Sequence, residues 1–217
     1  MKHKITSKSL SSEAYEVVIE LFQKNRGKYL EYISQVFWWN KRVNLISRDV
    51  SHETMVKHVQ HSLLLSVMDE VKNAETILDT GSGGGLPGVP LSMCFPEKTV
   101  RVNDIVSKKM MAVKQIARKM GCKNFDIIIG SIASQQIESG ELIVSKHAFK
   151  VDELIDYLNG NDWSQIIFLK GEKEAYDEIQ RVELALNCEI IQLDKTIDDP
   201  FYKGKAIVKV KKIDEKL

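Results

Sequence analysis

Apolar and polar positions divide the chain into two regions with different periods. Over residues 12–40 apolar side chains recur at helical spacing. Leu30, Ile33 and Phe37 fall at i, i+3 and i+7, with Tyr29 and Val36 beside them. This predicts a helix over 12–40. A second is predicted over 51–70, with Ser51 as its N-cap and Glu53 and Asp69 on exposed faces. From residue 74 short apolar runs alternate with helical segments. Strands are predicted at Thr76–Asp79, Thr99–Asn103, Phe125–Ile129, Leu142–Val144 and Gln165–Leu169. Helices are predicted over Ser107–Met120, with Met110, Val113 and Ala117 on one stripe, and over 172–187. Cys188–Leu193 and Lys205–Val210 read as a closing strand pair.

Strands that alternate with helices imply a doubly wound α/β fold with a mostly parallel sheet. Right-handed crossovers then put a ligand site at the carboxyl ends of the strands. The expected division is a helical N-terminal extension, residues 1–72, packed on a ligand-binding domain, residues 73–217.

One such strand end carries the most informative run, Ile77-Leu-Asp79-Thr-Gly81-Ser-Gly83-Gly-Gly85-Leu-Pro87-Gly88. Missing side chains let a ligand approach the backbone of a sharp turn. Pro87 suits the first turn of a helix, whose free N–H groups can receive an anion. Gly83, Gly85 and Gly88 also match the dinucleotide spacing G-x-G-x-x-G. The acid-x-G-x-G-x-G order favours an adenosylmethionine site instead, with Asp79 holding the methionine end. Asp104 ends the next strand, 25 residues on. An acid there can accept both ribose hydroxyls of an adenosine, in either kind of site.

Composition adds limits. Of 217 residues, 43% are hydrophobic and 28% charged, and no apolar run nears the roughly 20 residues of a membrane span. With no apolar leader at its start, a cytoplasmic protein is expected. Cys94, Cys122 and Cys188 stand far apart, outside any C-x-x-C, and no metal site is expected. The net charge of +1 conceals an asymmetry. Residues 101–123 hold seven basic side chains against one acidic, and residues 138–200 hold fifteen acidic against six basic. Residues 1–60 and 201–217 are also basic, so one face can attract a polyanion.

These residues resemble a known family. Asp79–Pro96 (DTGSGGGLPGVPLSMCFP) is similar to the signature of RsmG, also called GidB, the small-subunit rRNA guanine-N7 methyltransferases. Trp39–Ser47 (WNKRVNLIS) resembles its W-N-x-x-x-N-L segment, and His58-Val-Gln-His-Ser62-Leu its H-x-x-D-S-L, with His61 in place of Asp. Asp104 with Ser107-Lys-Lys and Leu169-Lys170-Gly171 resemble two further segments. The resemblance implies a class I methyltransferase (Rossmann-like) fold with a seven-stranded sheet. It implies S-adenosyl-L-methionine as methyl donor and a guanine of 16S rRNA, in the small ribosomal subunit, as acceptor. A monomer is expected. Cofactor contacts carried over from the family fall on Gly81, Leu86, Ile132, Ala133 and Lys146. With Asp79, Gly83, Gly85 and Asp104 they make up the expected cofactor site. The chain departs from the family where R-x-E is replaced by Ser131-Ile132-Ala133 and S-R-A by Ser145-Lys146-His147. Lysine keeps the charge of arginine without its planar fork.

Guanine N7 has an exposed lone pair, so no base need remove a proton and alignment does most of the catalysis. No catalytic residue is identified by the sequence; Lys146 and Lys170 are candidates for holding RNA phosphate or the substrate site. Asp199-Pro200-Phe201 reads as a turn, not as a motif for an exocyclic amine. His58 and His61 read as packing or capping between extension and sheet, and Phe37, Trp38 and Trp39 as core there. Two other readings stand beside this one. The departures at 131–133 and 146 motivate a relative that binds adenosylmethionine or ribosomes without turnover. The spacing Gly83-x-Gly85-x-x-Gly88 motivates a NAD-dependent oxidoreductase.

Overall fold

The computed structural model describes residues 2–213. The chain opens with a strand, β1 (Lys4–Ser9), that the hydrophobic pattern does not predict. Its sequence, KITSKS, has one half-buried apolar side chain, Ile5, and otherwise faces water. It is one of the two edge strands of the sheet, and its lysines discourage further pairing. The sheet therefore has eight strands where seven were expected, and the first 72 residues are not wholly helical.

The helix expected over 12–40 is two helices. Ser11 caps α1 (Ser12–Lys24) by accepting from the Ala14 N–H at 3.1 Å. Asn25 leaves helical geometry at ψ 18°, and α2 (Arg26–Asn40) starts after it. The helix expected over 51–70 is α3 (His52–Leu63), capped by Ser51, then a 3₁₀ turn over Leu64–Val67 and the short α4 (Asp69–Asn73).

The alternating half follows. It consists of β2 (Thr76–Thr80), α5 (Gly88–Cys94), β3 (Thr99–Asp104), α6 (Ser107–Lys119) and β4 (Phe125–Ile129). Next come β5 (Leu142–Lys146), an unexpected α7 (Val151–Tyr157), β6 (Gln165–Gly171) and α8 (Glu172–Ile179). The chain closes with β7 (Leu186–Gln192) and β8 (Lys205–Lys212). The strand order is β1-β7-β8-β6-β5-β2-β3-β4, parallel except that β8 runs against β6 and β7.

Each central strand feeds two cores. Ile167 and Leu169 of β6 face the side covered by α1–α3, α5 and α6, while Ile166 and Phe168 face α7 and α8. Met110, Val113 and Ala117 of α6 are all buried, as their stripe predicts. Phe37 and Trp39 pack on the first core, but Trp38 is 46% exposed and stacks on the Arg42 guanidinium, 3.7 Å from the ring centroid. β2 lies between β3 and β5: the chain runs from β2 outward through β3 and β4, then crosses back to β5 on the other side of β2. A crevice forms at such a reversal, outside the carboxyl ends of the strands.

Candidate functional site

The glycine turn closes over the end of β2. Gly81 and Ser82 donate their N–H groups to the Asn103 carbonyl at 2.9 and 3.0 Å. Asp79 lies beneath the turn. Its Oδ2 accepts from the Ser82 hydroxyl at 2.5 Å and from the Gly88 N–H at 2.8 Å, while its buried Oδ1 has no partner among the described residues. Burial raises the Asp79 carboxyl to about 7, against the pull of these two donors. From the far side the Tyr32 hydroxyl donates to the Gly84 carbonyl at 2.9 Å, so α2 also holds the turn. Three glycines of the turn are required by space, and Gly85, at φ +92°, is one of them, since a Cβ there would lie 2.7 Å from Val89. A Cβ on Gly81, at φ +72°, would lie 2.2 Å from the Ala148 Cβ, and one on Gly88 would lie 2.5 Å from Val102.

Asp104 stands beside the turn. Its Oδ2 accepts from the Gly83 N–H at 3.1 Å and its Oδ1 from the Val106 N–H at 2.9 Å. A cavity of about 560 Å³ opens here, with Gly81, Gly83, Asp104, Ile132, Lys146 and Phe149 among its walls. Five of the nine expected cofactor residues thus meet on one cavity: Gly81, Gly83, Asp104, Ile132 and Lys146. The other four lie outside it. Asp79 braces the turn from below. Gly85 sits close to Val89 and Tyr32, Leu86 is packed into the first core, and Ala133 is exposed on a 3₁₀ turn.

Lys146, half-buried at the end of β5, brings its Nζ to 3.0 Å from His58 Nδ1 on α3. Burial lowers the Lys146 ammonium to about 8, and the Asp79 carboxylate opposes the fall. Burial lowers His58 to about 3, helped by the charges of Lys146, His147 and Lys205. His61 is fully buried among His147, Phe201 and Tyr202, and neither ring nitrogen has a partner among the described residues.

Lys170 is the other sequence candidate, and the structure places it differently from a surface cation. It is 6% exposed and ion-paired with Glu178 on α8. It also donates to the Phe149 carbonyl at 3.3 Å, and Glu178 accepts from the Val151 N–H at 2.8 Å. A buried ammonium satisfied in this way fixes the segment 147–150; it does not reach out to a phosphate. Beyond this segment lies a second cavity of about 730 Å³. It shares His147, Ala148 and Phe149 with the first and is walled by Lys150, Lys170, Lys173, Lys203 and Lys205 and by Glu153, Glu172, Glu174 and Glu178, so the Lys170–Glu178 pair forms part of its lining.

Three residues of this site have roles that hydrophobic periodicity does not mark. Asn103 accepts from Thr80, donates to the carbonyls of Ile128 and Gly130, and so ties β2, β3 and β4 at their ends. Its signal is an amide at the buried end of an apolar strand. Asn40 accepts from the N–H groups of Leu45 and Ile46 and shapes the loop that lies against Gly83 and Gly84. Tyr32 gives no signal beyond an aromatic on an apolar face.

A mostly parallel sheet with one reversed strand and a glycine turn at its switch point define a class I methyltransferase fold. Solved structures agree. A putative O-methyltransferase from Nostoc punctiforme matches with a TM-score of 0.55 at 13% identity, over 86% of this chain and 72% of that one. The O-methyltransferase from Bacillus cereus in complex with SAH matches with 0.51 at 14% identity, over 84% and 90%. At this identity the likeness concerns the fold. Sequence gives the family. Residues 25–196 match the family model described as GidB, rRNA small subunit methyltransferase G. Ribosomal RNA small subunit methyltransferase G of Chlorobaculum tepidum is 34% identical over 78% of this chain and 82% of its own length. Its counterpart in Flavobacterium johnsoniae is 30% identical over 89% and 90%. The chain belongs to the GidB family.

Proposed function

We propose that this chain transfers the methyl group of S-adenosylmethionine to N7 of a guanine in 16S rRNA of the small ribosomal subunit. The observation that carries this reading is the meeting of Gly81, Gly83, Asp104, Ile132 and Lys146 on one cavity, in a member of a family described as rRNA methyltransferases. The donor set fits the cofactor. Asp104 has lone pairs to spare for ribose hydroxyls, since a carboxylate offers about four acceptor sites. Ile132 gives an apolar wall for adenine, and the Lys146 ammonium suits the cofactor's carboxylate. Gly81 and Gly83 carry no side chain to hold a ligand away from the backbone. When bound, S-adenosylmethionine supplies an electrophilic methyl group on a sulfonium.

The second cavity is the acceptor side, because it meets the first along His147, Ala148 and Phe149. Guanine N7 needs no deprotonation, so the residues there orient the base and exclude water. Alignment of this kind contributes up to about 7–11 kcal/mol in favourable cases. The same reading makes the chain a monomer that works in the cytoplasm without a metal ion. No helix among the described residues is long and apolar enough to cross a membrane. Residues 1–72 then serve as an extension that packs on a cofactor-binding part, 73–217, and adds the edge strand β1 to its sheet.

The test is methyl transfer from labelled S-adenosylmethionine to small subunits from a strain lacking this modification. Label at a guanine N7 is expected. Cofactor binding without label would leave only a non-catalytic relative, and a preference for NAD in calorimetry would end the reading.

A further inference from the structure

The contact between Lys146 and His58 joins β5 to α3 across 88 residues of sequence. An ammonium is donor-only, so the His58 Nδ1 that faces it at 3.0 Å must present its lone pair. The imidazole is then neutral, with its proton on Nε2. The ring is set edge-on to Phe201, with centroids 5.0 Å apart, and cannot turn freely.

We propose that His58 is a positioning residue for Lys146: its Nδ1 holds the ammonium protonated and directed at the wall of the cofactor cavity. This rests on the methyltransferase reading only for the name of the ligand. The environment explains why a specific acceptor is needed. The cation that faces this pair is Lys205 on β8; His147 on the segment after β5, which burial lowers to about 4, and His61 next to the pair on α3 are neutral. Among the described residues Asp79 is the carboxylate that favours the Lys146 charge, but its Oδ2 is engaged by Ser82 and Gly88 and its Oδ1 makes no hydrogen bond to the ammonium. Without His58, Lys146 keeps its desolvation cost and its cationic neighbour Lys205 and loses the only side-chain hydrogen bond it makes among the described residues. Such an ammonium gives up its proton sooner or swings toward water. His58 does not touch the cofactor in this scheme; it acts through Lys146.

The choice of side chain is also explained. Lysine ends in a single point charge and cannot brace itself by a bidentate fork. An acceptor from a different element supplies the direction that the side chain lacks.

Three measurements test this. Nitrogen-15 NMR of the wild-type imidazoles is expected to show His58 with a bare Nδ1 and a protonated Nε2 at neutral pH. A protonated Nδ1 would overturn the proposal without any variant. The second follows the Lys146 side-chain signal with pH. Its midpoint is expected to fall in His58→Leu and to return in His58→Asn, whose amide oxygen can replace Nδ1 as acceptor. The third is calorimetry with S-adenosylmethionine. His58→Leu is expected to bind about tenfold more weakly, the scale of one charge-assisted hydrogen bond, and His58→Asn close to wild type. Equal loss in both variants would mean that packing alone matters, and no change in either would remove the role. A wild-type protein that binds no S-adenosylmethionine would fail the functional reading, while the two NMR measurements would still decide the fate of the pair.

Discussion

The Asp104 carboxylate and the Gly83 backbone are joined by a hydrogen bond of 3.1 Å, and the same carboxylate holds Val106 at 2.9 Å. One side chain therefore shapes the glycine turn, starts the loop into α6 and faces the cavity. Asp104→Ala is expected to weaken S-adenosylmethionine binding by about 1–3 kcal/mol, the scale of lost buried hydrogen bonds. Calorimetry at constant pH measures it. An unchanged affinity would remove Asp104 from the site.

Gly81 and Ala148 leave no room for a methyl group between them. Gly81→Ala places a Cβ 2.2 Å from the Ala148 Cβ and forces a side chain onto φ +72°. The expected cost is about 1–3 kcal/mol of stability, with cofactor affinity falling as the turn shifts. Urea denaturation and calorimetry on the same sample give both numbers.

Lys170 and Glu178 form a buried pair that pins Phe149 and Val151. Lys170→Met leaves the buried Glu178 carboxylate without its counter-charge, with the Val151 N–H still donating to it, and is expected to cost about 3–5 kcal/mol. The double variant Lys170→Met with Glu178→Leu is expected to recover part of that loss. A double-mutant cycle by urea denaturation checks it, and additive losses would show that the two side chains act separately.

The histidines make stability depend on pH. His58 is held at about 3 and His61 well below 6.5, by burial first and neighbouring cations second. Below pH 6.5 the unfolded chain binds more protons than the folded one, so stability falls as pH falls. Each histidine is expected to remove up to about 2 kcal/mol between pH 7 and pH 5, and the two together about 3–4 kcal/mol. Asp79, raised to about 7, works the other way over this range, because the folded state keeps its proton. The His61 share is therefore read as the difference between wild type and His61→Phe in urea midpoints across pH. Parallel profiles would show that His61 does not titrate with folding.

Lys108 and Lys114 are exposed on α6, whose first residues follow Asp104 closely. If this basic face carries RNA, Lys108→Glu with Lys114→Glu is expected to flatten the salt dependence of rRNA binding. Each lost phosphate contact lowers the slope of log K against log salt by about 0.7–0.9. Binding curves at several salt concentrations test it, and an unaltered slope places the RNA elsewhere.

Much of this protein can be read from its order of residues. The alternation of apolar runs with amphipathic segments dictated a doubly wound sheet, because burial on two faces needs two periods. The glycines after Asp79 marked the turn, since only a bare backbone fits there, and Asp104 was legible as an acid at a strand end. What folding alone decided involves partners distant in sequence. β1 carries almost no apolar signal and owes its place to edge pairing with β7. Asn25 breaks a helix whose hydrophobic period continues through it. Lys170 looks like a surface cation until Glu178 closes on it, and Lys146 acquires its direction from His58, on a helix 88 residues away. Local pattern sets which segments bury themselves, but a buried charge takes its role from whichever opposite or accepting group the tertiary fold brings within bonding distance.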